Sequence, residues 1–105
     1  MPITQPFKSS GQASVALTTA AAEVAIPGQG ENVLIYNATA VAVACDFQAQ
    51  AGGAATAASP YVVPAGGRMI VTVGQVAGVP LYGLAFPLGT AAASVYFMRG
   101  DGSTY

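Results

Sequence analysis

The stretch Val41–Gln48 (VAVACDFQ) alternates large apolar side chains with small or polar ones. Neighbouring side chains of a β-strand point to opposite faces, so a period of two predicts a strand with one buried face. That face carries Val41, Val43, Cys45 and Phe47. The stretch therefore predicts a half-buried strand near the middle of the chain.

Similar short alternating segments lie on both sides of this stretch, and Gly or Pro interrupts the chain about every dozen residues. Strand–helix alternation is absent, which argues against a parallel α/β sheet. The pattern predicts an all-β, single-domain β-sandwich, jelly-roll-like, of about eight short antiparallel strands; it does not separate a simple sandwich from a true jelly roll. The predicted strands are Ala13–Thr18, Glu23–Ile26, Asn32–Asn37, Val41–Gln48, Tyr61–Val63, Arg68–Val73, Val79–Phe86 and Ala92–Arg99.

Three segments outside the clear strands carry separate predictions. Residues 1–12 contain two prolines and little periodicity, which predicts an extended N-terminal arm ahead of a sandwich domain at 13–105. Residues 49–59 have no large side chain, so we expect a loop that is mobile or ordered by a partner. Ala38–Ala40 is a predicted hairpin turn, and a helical turn within Ala13–Ala22 is the main alternative to the all-β interpretation.

Ionised side chains are scarce: only 7% of the residues are charged, with a net charge of −1, against about 25% charged residues in an ordinary soluble domain. Three basic residues are too few to neutralise a run of phosphates or to hold an anionic membrane, so we expect neither nucleic-acid nor membrane partners. A neutral surface costs little to desolvate. We therefore expect part of it to be covered by other protein subunits, the alternative being a neutral monomer.

The side chains that carry most enzyme chemistry are absent or isolated. There is no histidine and only one cysteine, Cys45, whose position on an apolar face predicts a buried thiol. Carboxylate catalysis needs two acids brought together, and the four acidic residues show no spacing that would do so. The sequence therefore predicts a protein that is not an enzyme and that has no cofactor or metal.

Two short motifs match known functional signals, integrin binding and glycosylation, but are better explained as turns. Arg99-Gly100-Asp101 is the RGD tripeptide of integrin ligands, and its place after the last predicted strand indicates a charged turn. Asn37-Ala38-Thr39 fits a glycosylation acceptor, but the residue types equally favour turn hydrogen bonding. We expect a structural role for both motifs.

The order of several motifs along most of the chain resembles that of small virion proteins of tailed bacteriophages, which are similar to capsid cement or decoration proteins. The motifs are Gln5-Pro6-Phe7, Ile26-Pro27-Gly28, Tyr36-Asn37, Val63-Pro64-Ala65-Gly66, Val95-Tyr96-Phe97 and Gly100-Asp101-Gly102. The resemblance implies a sandwich or jelly-roll subunit that is oligomeric, sits on an icosahedral head and bridges capsid subunits.

The expected partners are thus the major capsid protein and copies of the chain itself, as a dimer or trimer. The expected location is the outer surface of the virion capsid, after synthesis in the bacterial host cytoplasm. An unpaired sheet edge could add a partner strand. Composition suggests candidate contact residues in the arm and on two strands: Pro2, Ile3, Pro6, Phe7, Lys8, Tyr61 and Arg68.

A second hypothesis places the chain elsewhere on a virion, as a tail, neck or fibre component or as a carbohydrate-binding module. Tyr61, Tyr82 or Tyr105 would then be the aromatic platforms for a sugar.

Overall fold

The computed structural model describes residues 8–28, 30–49, 52–56, 58–73 and 81–101. Within these ranges the chain forms eight strands and no helix, so the structure offers no helix that could cross a membrane. The strands are β1 (Lys8–Leu17), β2 (Ala22–Ile26), β3 (Asn32–Asn37), β4 (Val43–Gln48), β5 (Tyr61–Val63), β6 (Arg68–Thr72), β7 (Leu81–Pro87) and β8 (Ala93–Asp101).

The strands form two four-stranded antiparallel sheets, with the orders β1-β8-β3-β6 and β2-β7-β4-β5. The pairing is nested: β4 pairs with β5, β3 with β6, β2 with β7 and β1 with β8. The chain thus resembles one long hairpin rolled into two sheets, with the loop between β4 and β5 at its tip. This is the strand order of a jelly roll, and the all-β sandwich prediction is confirmed.

The core lies between the sheets and is built from the apolar face of each alternating segment. Val43 and Cys45 are fully buried, and Val41 and Phe47 pack against the same cluster, as the alternation in Val41–Gln48 predicts. Phe97 of β8 is also fully buried, with its ring edge-on to Phe47 at a centroid distance of 5.8 Å. The two rings pack among the mainly aliphatic side chains of this core.

Some predicted boundaries differ from the observed ones. β1 begins at Lys8, so the boundary drawn at residue 12 lies inside a strand, and residues 1–7 lie outside the described residues. Ala38–Ala40 does not close a hairpin, because β3 and β4 belong to different sheets. β8 continues to Asp101, so the RGD tripeptide lies at the end of a strand and not in a turn.

Candidate interaction surface

Only three of the predicted contact residues fall where the structure describes the chain. Lys8 starts β1, where its backbone pairs with Asp101 of β8. Tyr61 is half-buried and packs with Phe47 at a ring-centroid distance of 5.8 Å, so it belongs to the core side of β5. The others lie outside the described residues: Pro2, Ile3, Pro6 and Phe7.

Arg68 does lie on the surface. It is exposed at the start of β6, and its guanidinium carbon is 5.4 Å from the centre of the Tyr36 ring. A cation over an aromatic face at this distance is attracted by the ring quadrupole. Arg68 therefore lies against an aromatic side chain on the outer side of its sheet.

That outer side of the β1-β8-β3-β6 sheet carries a contiguous group of large apolar side chains, here called the outer apolar face: Leu34, Tyr36, Ile70, Tyr96 and Met98. The strand registers place Leu34 beside Met98 and Ile70, and Tyr36 beside Tyr96. The two tyrosine rings are stacked, with centroids 6.0 Å apart. Leu34 is only 8% exposed and the other four are partly exposed, so the group resembles a half-formed core layer.

This face was not predicted from the sequence. The signal was present in β3, where Val33-Leu34-Ile35-Tyr36 is apolar without a break. An unbroken apolar run is typical of a strand covered on both faces. In this sandwich Val33 and Ile35 point into the core, so Leu34 and Tyr36 must point outward.

On the outer side of the β2-β7-β4-β5 sheet, part of the β4–β5 loop packs against the strands. Glu23, on the outer side of β2, accepts hydrogen bonds from the backbone amides of Gly52 at 3.0 Å and Gly53 at 3.1 Å. Leu84, its register neighbour on β7, is only 3% exposed, as is Ala55 of the same loop. The described part of the β4–β5 loop is therefore anchored on this sheet, which corrects the expectation of a mobile or partner-ordered loop.

Asn37 organises the end of the sandwich where the chain crosses between sheets. Its amide nitrogen lies 2.8 Å from the Val41 carbonyl oxygen, 3.0 Å from that of Val63 and 3.1 Å from that of Pro64. Its amide oxygen accepts a hydrogen bond from the Thr39 backbone N–H at 2.9 Å. The side chain is fully buried, so the turn role predicted for Asn37-Ala38-Thr39 is confirmed.

The opposite end of β8 holds a buried cation. Arg99 is 7% exposed, and its Nε donates a hydrogen bond to the Gly30 carbonyl oxygen at 3.1 Å. Gly30 has a φ of 126°, and a Cβ there would overlap the Gly100 carbonyl. The arginine of the RGD tripeptide is thus part of the fold and is not presented as in an adhesive loop.

The thiol of Cys45 is buried as expected. Burial, aided by the charge of Asp46, raises its pKa from 9.0 to about 12. The reactive thiolate is therefore scarce at neutral pH. Among the described residues, no three His, Cys, Asp or Glu side chains are grouped so that they could hold a metal ion.

Comparison of the chain with protein-family models, with curated proteins and with solved structures finds no match.

Proposed function

We propose that the chain is a non-enzymatic cement or decoration protein of a tailed-phage head, which stabilises the shell by bridging capsid subunits. The observation that carries the proposal is the outer apolar face on a chain with only 7% charged residues. Large exposed apolar patches mark sites of protein contact, and the four partly exposed side chains of this face extend over three neighbouring strands. Arg68 at the margin of this face adds a polar donor of the type enriched in interfaces.

The mechanism requires no chemistry beyond binding. A subunit that binds the assembled shell, but not its separated parts, lowers the free energy of the shell. Several copies joined around a symmetry axis strengthen this effect, because the second contact becomes intramolecular. The outer apolar face would supply the affinity for the shell, and Arg68 at its margin would fix the orientation of the subunit.

The fold is compatible with this role without assigning it. Jelly rolls form viral capsid domains, but also lectins and cupins, so the proposal depends on the surface and not on the topology.

The direct test is to find the chain in virus particles. Mass spectrometry of purified particles from the source should detect it in many copies per head, and an electron-microscopy map should place a β-sandwich on the outer shell. Density on the tail or neck would favour the alternative virion role. Absence of the chain from all particles would overturn the proposal.

A variant can test the surface itself. Ile70→Lys places a charge beside Leu34 within the outer apolar face, and we expect it to weaken binding to heads by at least about tenfold, the equivalent of about 1.4 kcal/mol. Thr72→Lys is the matched control, because Thr72 is exposed on the same strand and face but at its end. Cosedimentation with heads that lack the protein measures both. Equal binding by the two variants would exclude this face from the contact.

A glycan array tests the alternative that the chain is a carbohydrate-binding module. Tyr61 packs on the core side, Tyr82 is half-buried, and Tyr105 lies outside the described residues. Specific glycan binding by the purified chain would count against a cement role.

A further inference from the structure

The two sheets present four edge strands, β1 and β6 in one and β2 and β5 in the other. An edge strand has a row of backbone N–H and C=O groups without a strand partner, and it readily pairs with another chain. Natural proteins protect such edges by keeping them short or by placing proline, charge or a bulge there.

Three of the edges are protected in these ways. β5 has only three residues and lies between Pro60 and Pro64. β2 has five residues, contains Glu23 and is followed directly by Pro27. β6 has five residues and starts with the charged Arg68.

β1 is different. It is ten residues long, contains no proline, and has no charged residue after Lys8. Its one irregularity is a register shift between Ser9 and Gly11. The chain also covers that end, since a Cβ at Gly11 would overlap the Pro27 carbonyl. As far as the described part of the chain shows, the segment of this edge that carries none of these protections is Gln12–Leu17.

Hydrogen bonding within the sheet shows which groups this edge exposes. The Ser94 carbonyl accepts from the Ala38 N–H at 3.2 Å, so alternate residues of β8 from Ser94 onward face β3. The intervening residues, such as Val95, face β1 and bond to their register partners, such as Val15. The residues between those partners direct their N–H and C=O groups away from the sheet, and their side chains are exposed: Gln12, Ser14 and Ala16.

We infer that Gln12–Leu17 of β1 pairs antiparallel with the same segment of a second copy, across a two-fold axis, to form a continuous eight-stranded sheet. The chemistry of the edge indicates that its partner is a second copy of the chain. The segment is uncharged and its edge side chains are short or flexible, so an identical strand meets no like charge. A two-fold axis needs a self-complementary surface, and an uncharged antiparallel edge provides one.

This pairing deepens the proposed assembly role, on which it rests. A two-fold axis perpendicular to the sheet keeps the outer apolar faces of both copies on one side. The dimer would thus present two such faces to one shell.

The first experiment measures self-association by analytical ultracentrifugation of the full chain. We expect a dimer for the wild type. Ser14→Lys and Ser14→Glu should each raise the dissociation constant by about tenfold or more, because a charge then faces its own copy, and an equimolar mixture should restore the dimer. Thr72→Lys, on the β6 edge, should remain dimeric. A monomeric wild type, or Ser14 variants that dimerise like Thr72→Lys, would overturn the inference.

The second experiment locates the contact. Paired residues in an antiparallel ladder have Cα atoms about 5.5 Å apart, which suits a disulfide. Gln12→Cys, Ser14→Cys and Ala16→Cys, alone or mixed in pairs, should give a disulfide-linked dimer in at least one combination, and Thr72→Cys should not. Buried Cys45 does not compete. A dimer that none of these combinations crosslinks would place the contact elsewhere.

These measurements distinguish failure of the edge pairing from failure of the proposed function. Ser14 is the register partner of Tyr96, so both self-association and head binding are measured for Ser14→Lys and for Ile70→Lys. Loss of the dimer in Ser14→Lys but not in Ile70→Lys assigns self-association to the edge and not to the outer apolar face. A wild-type dimer that is absent from virus particles would support the edge pairing and reject the cement role.

Discussion

Asn37 is a buried polar residue that stabilises the end of the sandwich where the chain crosses between the sheets. Its amide contacts carbonyl oxygens from the β3–β4 turn and from the end of β5, so it joins two crossings between the sheets. Buried backbone carbonyls left without a donor each cost about 1–3 kcal/mol.

We therefore predict that Asn37→Ala lowers the free energy of unfolding by about 3 kcal/mol. Asn37→Asp should be no better, because it keeps the acceptor for Thr39 but places a negative charge against three carbonyl oxygens. Urea unfolding measures both. Asn32→Ala is the control, since Asn32 bonds an exposed Thr72 hydroxyl, and it should cost less than about 1 kcal/mol. A similar loss in both alanine variants would contradict the special role of Asn37.

Cys45 makes the free energy of unfolding depend on pH in the alkaline range. Its pKa is raised to about 12 in the folded chain and returns to 9.0 on unfolding. Above pH 9 the unfolded state therefore loses a proton that the folded state keeps. The free energy of unfolding should fall as pH rises through this window, by up to about 1.4 kcal/mol per pH unit from this group, and the contribution is fully present below it.

Cys45→Ala isolates this effect, because every other titrating group is common to both proteins. The stability advantage of the wild type should shrink between about pH 8 and about pH 10 in urea titrations. A constant difference across that range would show that the thiol is not desolvated in the fold.

At the scale of the element, a carboxylate anchors the described part of the β4–β5 loop. Glu23 bonds the amides of Gly52 and Gly53, although the loop itself offers little apolar area. We predict that Glu23→Ala speeds hydrogen exchange at these two amides and costs about 1–2 kcal/mol, less than a fully buried charged hydrogen bond. Glu31→Gln removes an equal charge from the β2–β3 connection and should leave loop exchange unchanged. Equal protection of the loop in Glu23→Ala and wild type would contradict the anchoring.

At the scale of the molecule, the nested pairing joins distant parts of the sequence. β1 pairs with β8 from Lys8–Asp101 to Leu17–Ala93, so the last strand completes the contacts of the first. Loop closure must occur before these pairs form, which slows folding. We predict that the chain refolds in milliseconds to seconds. Stopped-flow tyrosine fluorescence measures this, and the native signal should not be fully recovered at the first reading after mixing. Complete recovery in microseconds would contradict this topology.

Much of the fold was open to prediction from local patterns. Alternation identified β4, β6 and β8 as strands, and in β4 it also identified the buried face, because period two is a property of a single strand. The outer apolar face was not predicted, although the unbroken apolar run of β3 contained its signal. The anchoring by Glu23 had no local signal, because its partners lie far along the chain.

The sequence alone determined the strand content, the buried face of β4 and the scarcity of charge, since these depend on neighbouring residues and on composition. Only the tertiary structure decided that the strands form a jelly roll, that Asn37 and Arg99 are buried, and which strands lie at the edges of the sheets. The reason is physical: strand order and edge position arise from pairing between segments far apart in the chain, and no local pattern encodes which pairs with which.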